Sequence, residues 1–199
     1  MRAILVHGMG RTPLSMLLLA TRLRAAGIKP ALFAYCAAFE GWEGCCARLR
    51  RFSERCAGDR FVMVGHSLGC VLIRSVAAEL ERKPRSCFFL APPSCACIAA
   101  RKFSSYRWYR LLTGEMGQLL ADEEFMRSLP PSDIPTKIYA GNAGPRGRFS
   151  LHGLEMNDGV LAVAETRMGT VPMRVVPSIH TFIMNSAQVA RDIVEATAP

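Results

Sequence analysis

The pentapeptide GHSLG at residues 65–69 is the strongest chemical signal in the sequence. It fits the pattern G-x-S-x-G and lies between the apolar run FVMVG and a helical pattern. In that context the pattern predicts a sharp, strained strand-to-helix turn that pushes the serine hydroxyl out of the sheet. Gly65 and Gly69 supply the small residues that such a close turn needs. Ser67 is therefore the predicted nucleophile, and the alternative is a tight turn without chemistry.

A serine nucleophile of this kind needs a histidine base and a carboxylate that orients it, in the chain order Ser, Asp or Glu, His. His180 follows the last predicted strand and precedes the last predicted helix, so we expect it at the carboxyl edge of the sheet. His152 precedes Asp158 and lies in a Gly-rich loop, so it fits the order less well. Asp158 is the predicted acid, and Glu155 is the nearest alternative carboxylate.

The tetrapeptide HGMG at residues 7–10 directly follows the first predicted strand. Acyl transfer needs backbone N–H donors aimed at the oxyanion of the tetrahedral intermediate. We expect one donor from Leu68, the residue after the nucleophile, and the other from Met9, because glycines let this backbone approach a substrate. The alternatives are a phosphate-binding turn or a merely tight turn. The nucleotide-binding patterns G-x-x-x-x-G-K-[ST] and G-x-G-x-x-G are absent from the sequence, which argues against a nucleotide site.

Short apolar runs alternate with helical patterns of about a dozen residues, which predicts right-handed βαβ units and a parallel sheet. The predicted strands cover residues 2–6, 30–35, 60–65, 86–91, 136–141 and 171–176. The predicted helices begin at Thr12-Pro13 and end at Gly27, then cover residues 42–56, 67–81 and 185–196. The fold class is thus a three-layer α/β/α domain over residues 1–199 with a mostly parallel six-stranded sheet. Such a sheet carries its active site at the carboxyl ends of its strands.

These motifs resemble those of the α/β-hydrolase superfamily, and the size and plan are similar to its small lipases and esterases. The matching segments are HGMG at 7–10, GHSLG at 65–69, NDGVL at 157–161 and SIHTF at 178–182. The resemblance implies a minimal α/β-hydrolase fold with Ser67, Asp158 and His180 as a catalytic triad. It also implies that Met9 and Leu68 form the oxyanion hole. We expect no cofactor and no metal.

Residues 94–131 hold no clear strand and lie between the fourth and fifth predicted strands, where a cap often grows in this superfamily. Helical patterns run around 106–112 and 116–125. We predict that most of the apolar residues here pack on the domain, and that some line an acyl pocket. Trp108, Leu112 and Met116 are the predicted substrate-binding residues. Nearby cations could hold an anionic head group or face a membrane surface; these are Arg101, Lys102, Arg107 and Arg110.

Charge and cysteine content limit the partners and the compartment. There are 25 Lys and Arg against 16 Asp and Glu, a formal net charge of +9, but no block of like charge. We expect no nucleic-acid partner and at most a weak contact with anionic membranes. The eight cysteines are not spaced as zinc ligands and are predicted to be small hydrophobic residues in a reducing compartment. Neither a signal peptide nor a membrane-spanning run is evident, so we expect a soluble, cytoplasmic protein.

The leading hypothesis is an enzyme that cleaves a carboxylic ester, lipid ester or thioester through an acyl-enzyme on Ser67. The same triad serves acyltransferases, in which an alcohol or an amine replaces water. Two hypotheses from other classes are a non-catalytic binding protein on the same fold and a basic adaptor for nucleic acid or anionic membranes.

Overall fold

Six short apolar runs form the strands of one parallel sheet. A computed structural model of the chain describes residues 1–130, 133–148 and 150–198. The strands are β1 (Arg2–Val6), β2 (Lys29–Phe33), β3 (Phe61–His66), β4 (Cys87–Leu90), β5 (Thr136–Gly141) and β6 (Met173–Val176). Their order is β2-β1-β3-β4-β5-β6, and every neighbouring pair is parallel. All six residues of β3 are buried, as expected for a central strand covered on both faces.

Helices cover both faces of this sheet and divide the core into two halves. The helices packed on the sheet are α1 (Leu17–Ala25) and α7 (Ala187–Thr197) on one face, and α2 (Trp42–Cys56) and α3 (Leu68–Ala77) on the other. Side chains alternate along β3, so Val62 and Val64 face the first pair while Phe61 and Met63 face the second. The predicted three-layer α/β/α fold with a six-stranded parallel sheet is therefore confirmed.

The segment between β4 and β5 is helical. It contains α4 (Ile98–Phe103), α5 (Arg107–Leu119) and α6 (Glu123–Ser128). Helix α5 is kinked at Gly114, whose φ of 57° and ψ of −151° are not helical. The Asp122 side chain accepts a hydrogen bond from Phe125 N at 2.9 Å and so begins α6 as a separate helix. Pro131, the last residue of the predicted insertion, and Pro199, the last residue of the predicted domain, lie outside the described residues.

Several element boundaries differ from the sequence prediction. The first helix starts as a 3₁₀ turn over Pro13–Met16 before α1 begins. Strand β6 begins at Met173 because Pro172 has no N–H to donate to the ladder. Strand β2 ends at Phe33, opposite the last residue of β1, Val6. Among the described residues, no helix has both the length and the apolar composition that crossing a membrane would require.

Candidate active site

Ser67 occupies the turn between β3 and α3 in a strained conformation. Its φ of 51° and ψ of −121° lie where residues other than glycine are rarely found. The turn is held by a 2.9 Å hydrogen bond from Ser67 N to Leu90 O on β4. A Cβ atom on Gly69 would lie 2.3 Å from the Val6 carbonyl oxygen, so α3 approaches β1 closely only because this residue is glycine. The geometry matches the predicted sharp turn.

His180 and Asp158 come together on the same edge of the sheet. His180 Nδ1 lies 2.7 Å from Asp158 Oδ2, and their side chains are 10% and 1% exposed. The other carboxylate oxygen, Oδ1, accepts hydrogen bonds from Val160 N at 2.9 Å and Leu161 N at 2.7 Å. Because an ionised carboxylate only accepts, Nδ1 of His180 carries the proton and Nε2 presents a lone pair. That tautomer is the one a general base requires.

His66 connects the His180 loop to the serine turn. Its Nε2–H donates to the His180 carbonyl oxygen at 3.0 Å, and the two ring centroids are 5.0 Å apart. Burial lowers the pKa of His66 well below its ordinary value, and the neighbouring His180 lowers it further. His66 is thus a neutral, buried donor that holds the backbone of His180 beside the residue preceding Ser67.

The turn after β1 passes directly against Ser67. A Cβ on Gly8 would lie 3.2 Å from Ser67 Cβ and 2.7 Å from His66 Nδ1. His7 Nδ1 lies 2.9 Å from the Gly8 carbonyl oxygen, a hydrogen bond that fixes this carbonyl towards His7. In a trans peptide the N–H points opposite to the carbonyl, so the Met9 N–H is directed away from His7. Leu68 begins α3, and N–H groups in the first helical turn lack a carbonyl partner inside the helix.

An apolar cavity of about 260 Å³ opens beside the serine. Met9, Ser67, Gly159 and Val160 are among its lining residues, so the cavity adjoins the serine turn, the HGMG turn and the aspartate turn. The helical segment and neighbouring loops supply the apolar walls, which include Cys97, Ala100, Phe103, Tyr109, Leu120, Leu151 and Leu161. An apolar pocket with few polar groups is typical of a small-molecule site.

The comparisons with known proteins support this architecture. No family model matches the chain, and no curated protein sequence matches it significantly. The solved structures include the mature lipase of Bacillus licheniformis, with a TM-score of 0.71 at 15% identity over 98% of this chain and 90% of that one. An extracellular α/β-hydrolase from Paenibacillus has a TM-score of 0.65 at 16% identity over 98% of both chains. The Vlm2 thioesterase domain has a TM-score of 0.59 at 18% identity over 98% of this chain and 90% of that one.

The chain has the α/β-hydrolase fold. At 15–18% identity the likeness to these structures concerns the fold alone. This fold is the one that the sequence motifs predicted. In an α/β-hydrolase fold the serine turn after β3 and the turn after β1 lie side by side, because β1 and β3 are neighbouring strands. The residues of this site are therefore brought together by strand order rather than by nearness in sequence.

The three predicted substrate-binding residues of this α/β-hydrolase fold do not line the cavity. Met116 is fully buried in the core, whereas Trp108 and Leu112 are exposed. The reason is the orientation of α5 about its own axis, which places Tyr109, rather than Trp108, on the face that packs against the domain. The sequence shows apolar residues all around this helix, so composition alone did not identify the inner face.

In the described part of the chain, neither of the two alternative site residues forms a hydrogen bond with Ser67, Asp158 or His180. Glu155 is exposed on the loop before Asp158. His152 is buried, and its Nε2 lies 3.1 Å from the Val160 carbonyl oxygen, so this ring supports the turn that carries Asp158. Its other nitrogen, Nδ1, lies 3.5 Å from Glu165 Oε2.

Glu165 is a buried anchor that our sequence analysis missed. Its carboxylate accepts hydrogen bonds from Ile98 N at 2.7 Å and from Ala162 N at 2.8 Å. Its carbonyl oxygen accepts from Ser94 N at 2.8 Å. Glu165 thereby ties the start of the helical segment to the loop of Asp158. No sequence pattern marks it, because its carboxylate accepts both of its hydrogen bonds from backbone N–H groups.

The cysteines of this α/β-hydrolase fold form no disulfides, since all eight are free. Cys97 lines the cavity, but burial raises its pKa to about 11. At neutral pH it is therefore a thiol that contributes apolar surface, and it does not compete with Ser67 as a nucleophile. Within the described residues no cluster of His, Cys, Asp and Glu could hold a metal ion.

Proposed function

We propose that this protein hydrolyses carboxylic esters through a triad of Ser67, His180 and Asp158. The observation that carries the proposal is the 2.7 Å hydrogen bond from His180 Nδ1 to the buried Asp158 carboxylate, on the edge of the sheet where Ser67 is held in a strained turn. This bond leaves His180 Nε2 free to accept a proton. Strain at an exposed nucleophile and an oriented base are the two requirements for activating a serine.

The reaction proceeds in two steps. Ser67 Oγ attacks the acyl carbon while His180 Nε2 takes its proton, and the Met9 and Leu68 N–H groups stabilise the oxyanion. The C–O bond to the alcohol breaks as His180 protonates the leaving oxygen. Water then attacks the acyl-enzyme with His180 again as the base, which releases the acid and restores Ser67. Asp158 orients the imidazole and stabilises its protonated form.

The apolar cavity beside Ser67 supports an ester with an apolar acyl chain as the substrate. Helices α4 and α5 provide one wall through Ala100, Phe103 and Tyr109. We assign to these two helices the role of a cap over the acyl group. The opposite wall comes from Leu151 and Leu161, which flank the aspartate turn.

Labelling with a fluorophosphonate tests the nucleophile. Wild-type protein is expected to label, and Ser67→Ala is expected to lose the label because Ser67 is the one serine that lines the cavity among the described residues. Ser178→Ala is the matched control, since Ser178 also lies near His180 but its hydroxyl bonds to the Ile179 carbonyl. Equal labelling of wild type and Ser67→Ala would show that the assignment is wrong.

The acid is tested by kinetics with p-nitrophenyl butyrate. Asp158→Ala is expected to lower kcat on the order of 10²- to 10⁴-fold, because the imidazole loses its orientation and its counter-charge. Glu155→Ala is the control and is expected to leave kcat within about twofold, since an exposed carboxylate on this loop has no part in the triad. If Glu155→Ala lost activity and Asp158→Ala kept it, the acid would have to be reassigned.

Hydrolysis and acyl transfer share every residue of this mechanism up to the acyl-enzyme. The two are separated by adding a primary alcohol or an amine to the assay and measuring the partition of the acyl group. Hydrolase activity predicts free acid as the main product at moderate acceptor concentrations. Predominant formation of the new ester or amide would instead identify an acyltransferase.

A further inference from the structure

Helix α5 exposes an apolar stripe on its outer face. Trp108, Leu111 and Leu112 are 51%, 78% and 62% exposed. Their spacing of three and four residues places them on one side of the helix, while Tyr109 and Met116 face the core. Single exposed apolar residues are ordinary on a soluble protein, but a stripe of large ones with helical spacing marks an interaction surface.

The stripe is continuous with the wall of the cavity beside Ser67. The Trp108 ring centroid lies 5.6 Å from that of Phe103 and 5.9 Å from that of Tyr109. Phe103 and Tyr109 both line the cavity. Tyr106 joins the same cluster at 6.3 Å from Phe103 and is itself exposed. Apolar side chains therefore form an uninterrupted path from the outer surface of α5 to the cavity.

The segment that carries the stripe is rich in positive charge, and the first acid that follows it, Glu115, accepts a hydrogen bond from Trp42 N. No Asp or Glu occurs between residues 94 and 114, whereas four cations do. Arg107 and Arg110 are exposed on α5 itself, and Arg101 and Lys102 are exposed on α4. Arg101 pairs with Glu123, which leaves the two arginines of α5 without an ion pair among the described residues. The formal net charge of +9 adds to the same field.

We propose that the α5 patch, formed by Tyr106, Arg107, Trp108, Arg110, Leu111 and Leu112, docks the protein on an anionic phospholipid surface. Tryptophan and tyrosine side chains favour the membrane–water interface, leucines enter the acyl boundary, and arginines attract anionic head groups. A soluble acidic protein would meet the arginines but would leave the leucine stripe without an apolar partner. An anionic lipid surface therefore provides a partner both for the arginines and for the apolar side chains of the patch.

The docking also defines the substrate class, a step that rests on the proposed function. An ester embedded in the bilayer would reach Ser67 along the path from Trp108 past Phe103 into the cavity, without its acyl chain crossing water. The substrates are therefore esters with long apolar acyl chains held in an anionic lipid surface. Monomeric, water-soluble esters would react at the same serine without needing the patch.

The docking is tested by co-sedimentation of the chain of residues 1–199 with two kinds of vesicle, phosphatidylcholine alone and a mixture of phosphatidylcholine and phosphatidylglycerol at a molar ratio of about 7:3. Ser67→Ala is used alongside wild type so that lipid hydrolysis cannot alter the vesicles. The partition coefficient onto the anionic vesicles is expected to be at least about tenfold higher than that onto phosphatidylcholine vesicles, and to fall when the salt concentration is raised. Equal binding to both vesicles would overturn the charge assignment and with it the proposal.

Two pairs of variants separate the patch from general charge and general hydrophobicity. Arg107→Glu/Arg110→Glu is compared with Arg55→Glu/Arg60→Glu, which makes the same change in net charge at the amino edge of the sheet. Leu111→Ser is compared with Val175→Ser, an exposed apolar residue on β6. Only the α5 variants are expected to lose binding, by about tenfold or more. Equal losses in a matched pair would overturn the proposal.

Tryptophan fluorescence gives a second measurement of vesicle contact. This measurement does not require that the charge variants fold. In a Trp42→Phe background, Trp108 is the only tryptophan, and its emission is expected to shift to shorter wavelength with anionic vesicles. An unchanged spectrum under conditions of vesicle binding would place the contact elsewhere. If the chain alone were a dimer that Leu111→Ser converted to a monomer, a second copy would be the occupant and the lipid proposal would fail.

The two proposals fail in distinguishable ways. Leu111→Ser is expected to hydrolyse soluble p-nitrophenyl butyrate at the wild-type rate, because the side chain does not line the cavity. If wild type binds anionic vesicles but hydrolyses no ester, the proposed function is wrong and the docking stands. If esters are hydrolysed through Ser67 and the α5 variants bind vesicles like wild type, the docking is wrong and the proposed function stands.

Discussion

The backbone at Ser67 concentrates strain in a single residue. A non-glycine residue at φ 51° and ψ −121° costs on the order of 1–3 kcal/mol, which the surrounding structure must offset. The hydrogen bond to Leu90 O and the close packing of Gly65 against Cys70 hold the turn in place. The strained conformation presents the Ser67 hydroxyl outside the sheet, where a substrate can reach it.

Replacing Ser67 by glycine is therefore expected to stabilise the fold relative to alanine. Glycine adopts this conformation freely but loses more entropy on folding, so the net advantage over Ser67→Ala should be about 1 kcal/mol. The free energy of unfolding of both variants, measured in urea, tests this expectation. A Ser67→Gly variant no more stable than Ser67→Ala would mean that the turn is not strained.

His66 makes stability depend on pH. Burial and the neighbouring His180 hold the pKa of His66 well below its ordinary value, so the unfolded chain binds a proton that the folded chain excludes. Stability is therefore full above the unfolded pKa of about 6.5 and falls as the pH drops below it, until the folded pKa is reached. The slope for this group is at most about 1.4 kcal/mol per pH unit.

His66→Gln keeps a donor for the His180 carbonyl and cannot be protonated in this range. Urea unfolding between pH 7.5 and 5 should show a shallower decline for this variant than for wild type. His7, whose pKa burial also lowers, accounts for part of the slope that remains. Identical slopes for His66→Gln and wild type would show that His66 does not contribute.

At the level of elements, the kink in α5 decides which residues reach the cavity. Gly114 has a φ of 57° and packs so closely on the loop after β2 that a Cβ would lie 2.4 Å from the Ala37 carbonyl oxygen. Beyond the kink Glu115 accepts a hydrogen bond from Trp42 N at 2.9 Å, and Leu120 at the end of α5 lines the same cavity as Tyr109.

Gly114→Ala is expected to destabilise the fold by about 2 kcal/mol or more, because alanine meets both an unfavourable φ and a steric clash. Gly44→Ala is the matched control, since Gly44 lies within α2 with open space around its Cβ position. That change should instead stabilise by about 0.5–1 kcal/mol through helix propensity. Denaturant midpoints of the two variants moving in the same direction would contradict this account.

At the scale of the whole molecule, two layers of helices cover the faces of the sheet but not its carboxyl edge. The loops that follow the strands lie at that edge. Glu165 joins two of these loops through backbone hydrogen bonds, and the Asp158 carboxylate orders its own turn in the same way. The cavity beside Ser67 lies between them. Its volume is about 260 Å³, and its walls are mostly apolar.

The value of kcat/KM for p-nitrophenyl esters should therefore rise with acyl length, from acetate until the cavity is full. Each methylene buried contributes about 0.8 kcal/mol, close to fourfold per carbon. Ala100→Leu fills part of the cavity and should reduce the rate for long chains more than for acetate. Ala187→Leu, at an exposed position on α7, is the control. A maximum at acetate in wild type would contradict the acyl-pocket assignment.

The sequence by itself determined the sheet, the helices packed on it and the serine turn, because the pattern that predicts each of them lies within a short stretch of chain. The FVMVG run followed by GHSLG can form little other than a buried strand and a close turn. His180 was found from its place after the last strand. The exact starts of β6 and α1 were not, since they depend on Pro172 and on a 3₁₀ turn that periodicity does not reveal.

The sequence predicted Asp158 as the acid with Glu155 as the alternative, and the tertiary structure pairs His180 with Asp158. Only the tertiary structure decided which face of α5 lines the cavity. Asp158 and Glu155 lie three residues apart, and the choice depends on a turn whose Val160 and Leu161 N–H groups converge on Asp158. On α5, Tyr109 lies inside while Trp108 and Leu112 lie outside. The rule that apolar residues are buried fails when both faces of a helix are apolar. The side that packs inward is then fixed by contacts with distant strands and loops, which no local pattern contains.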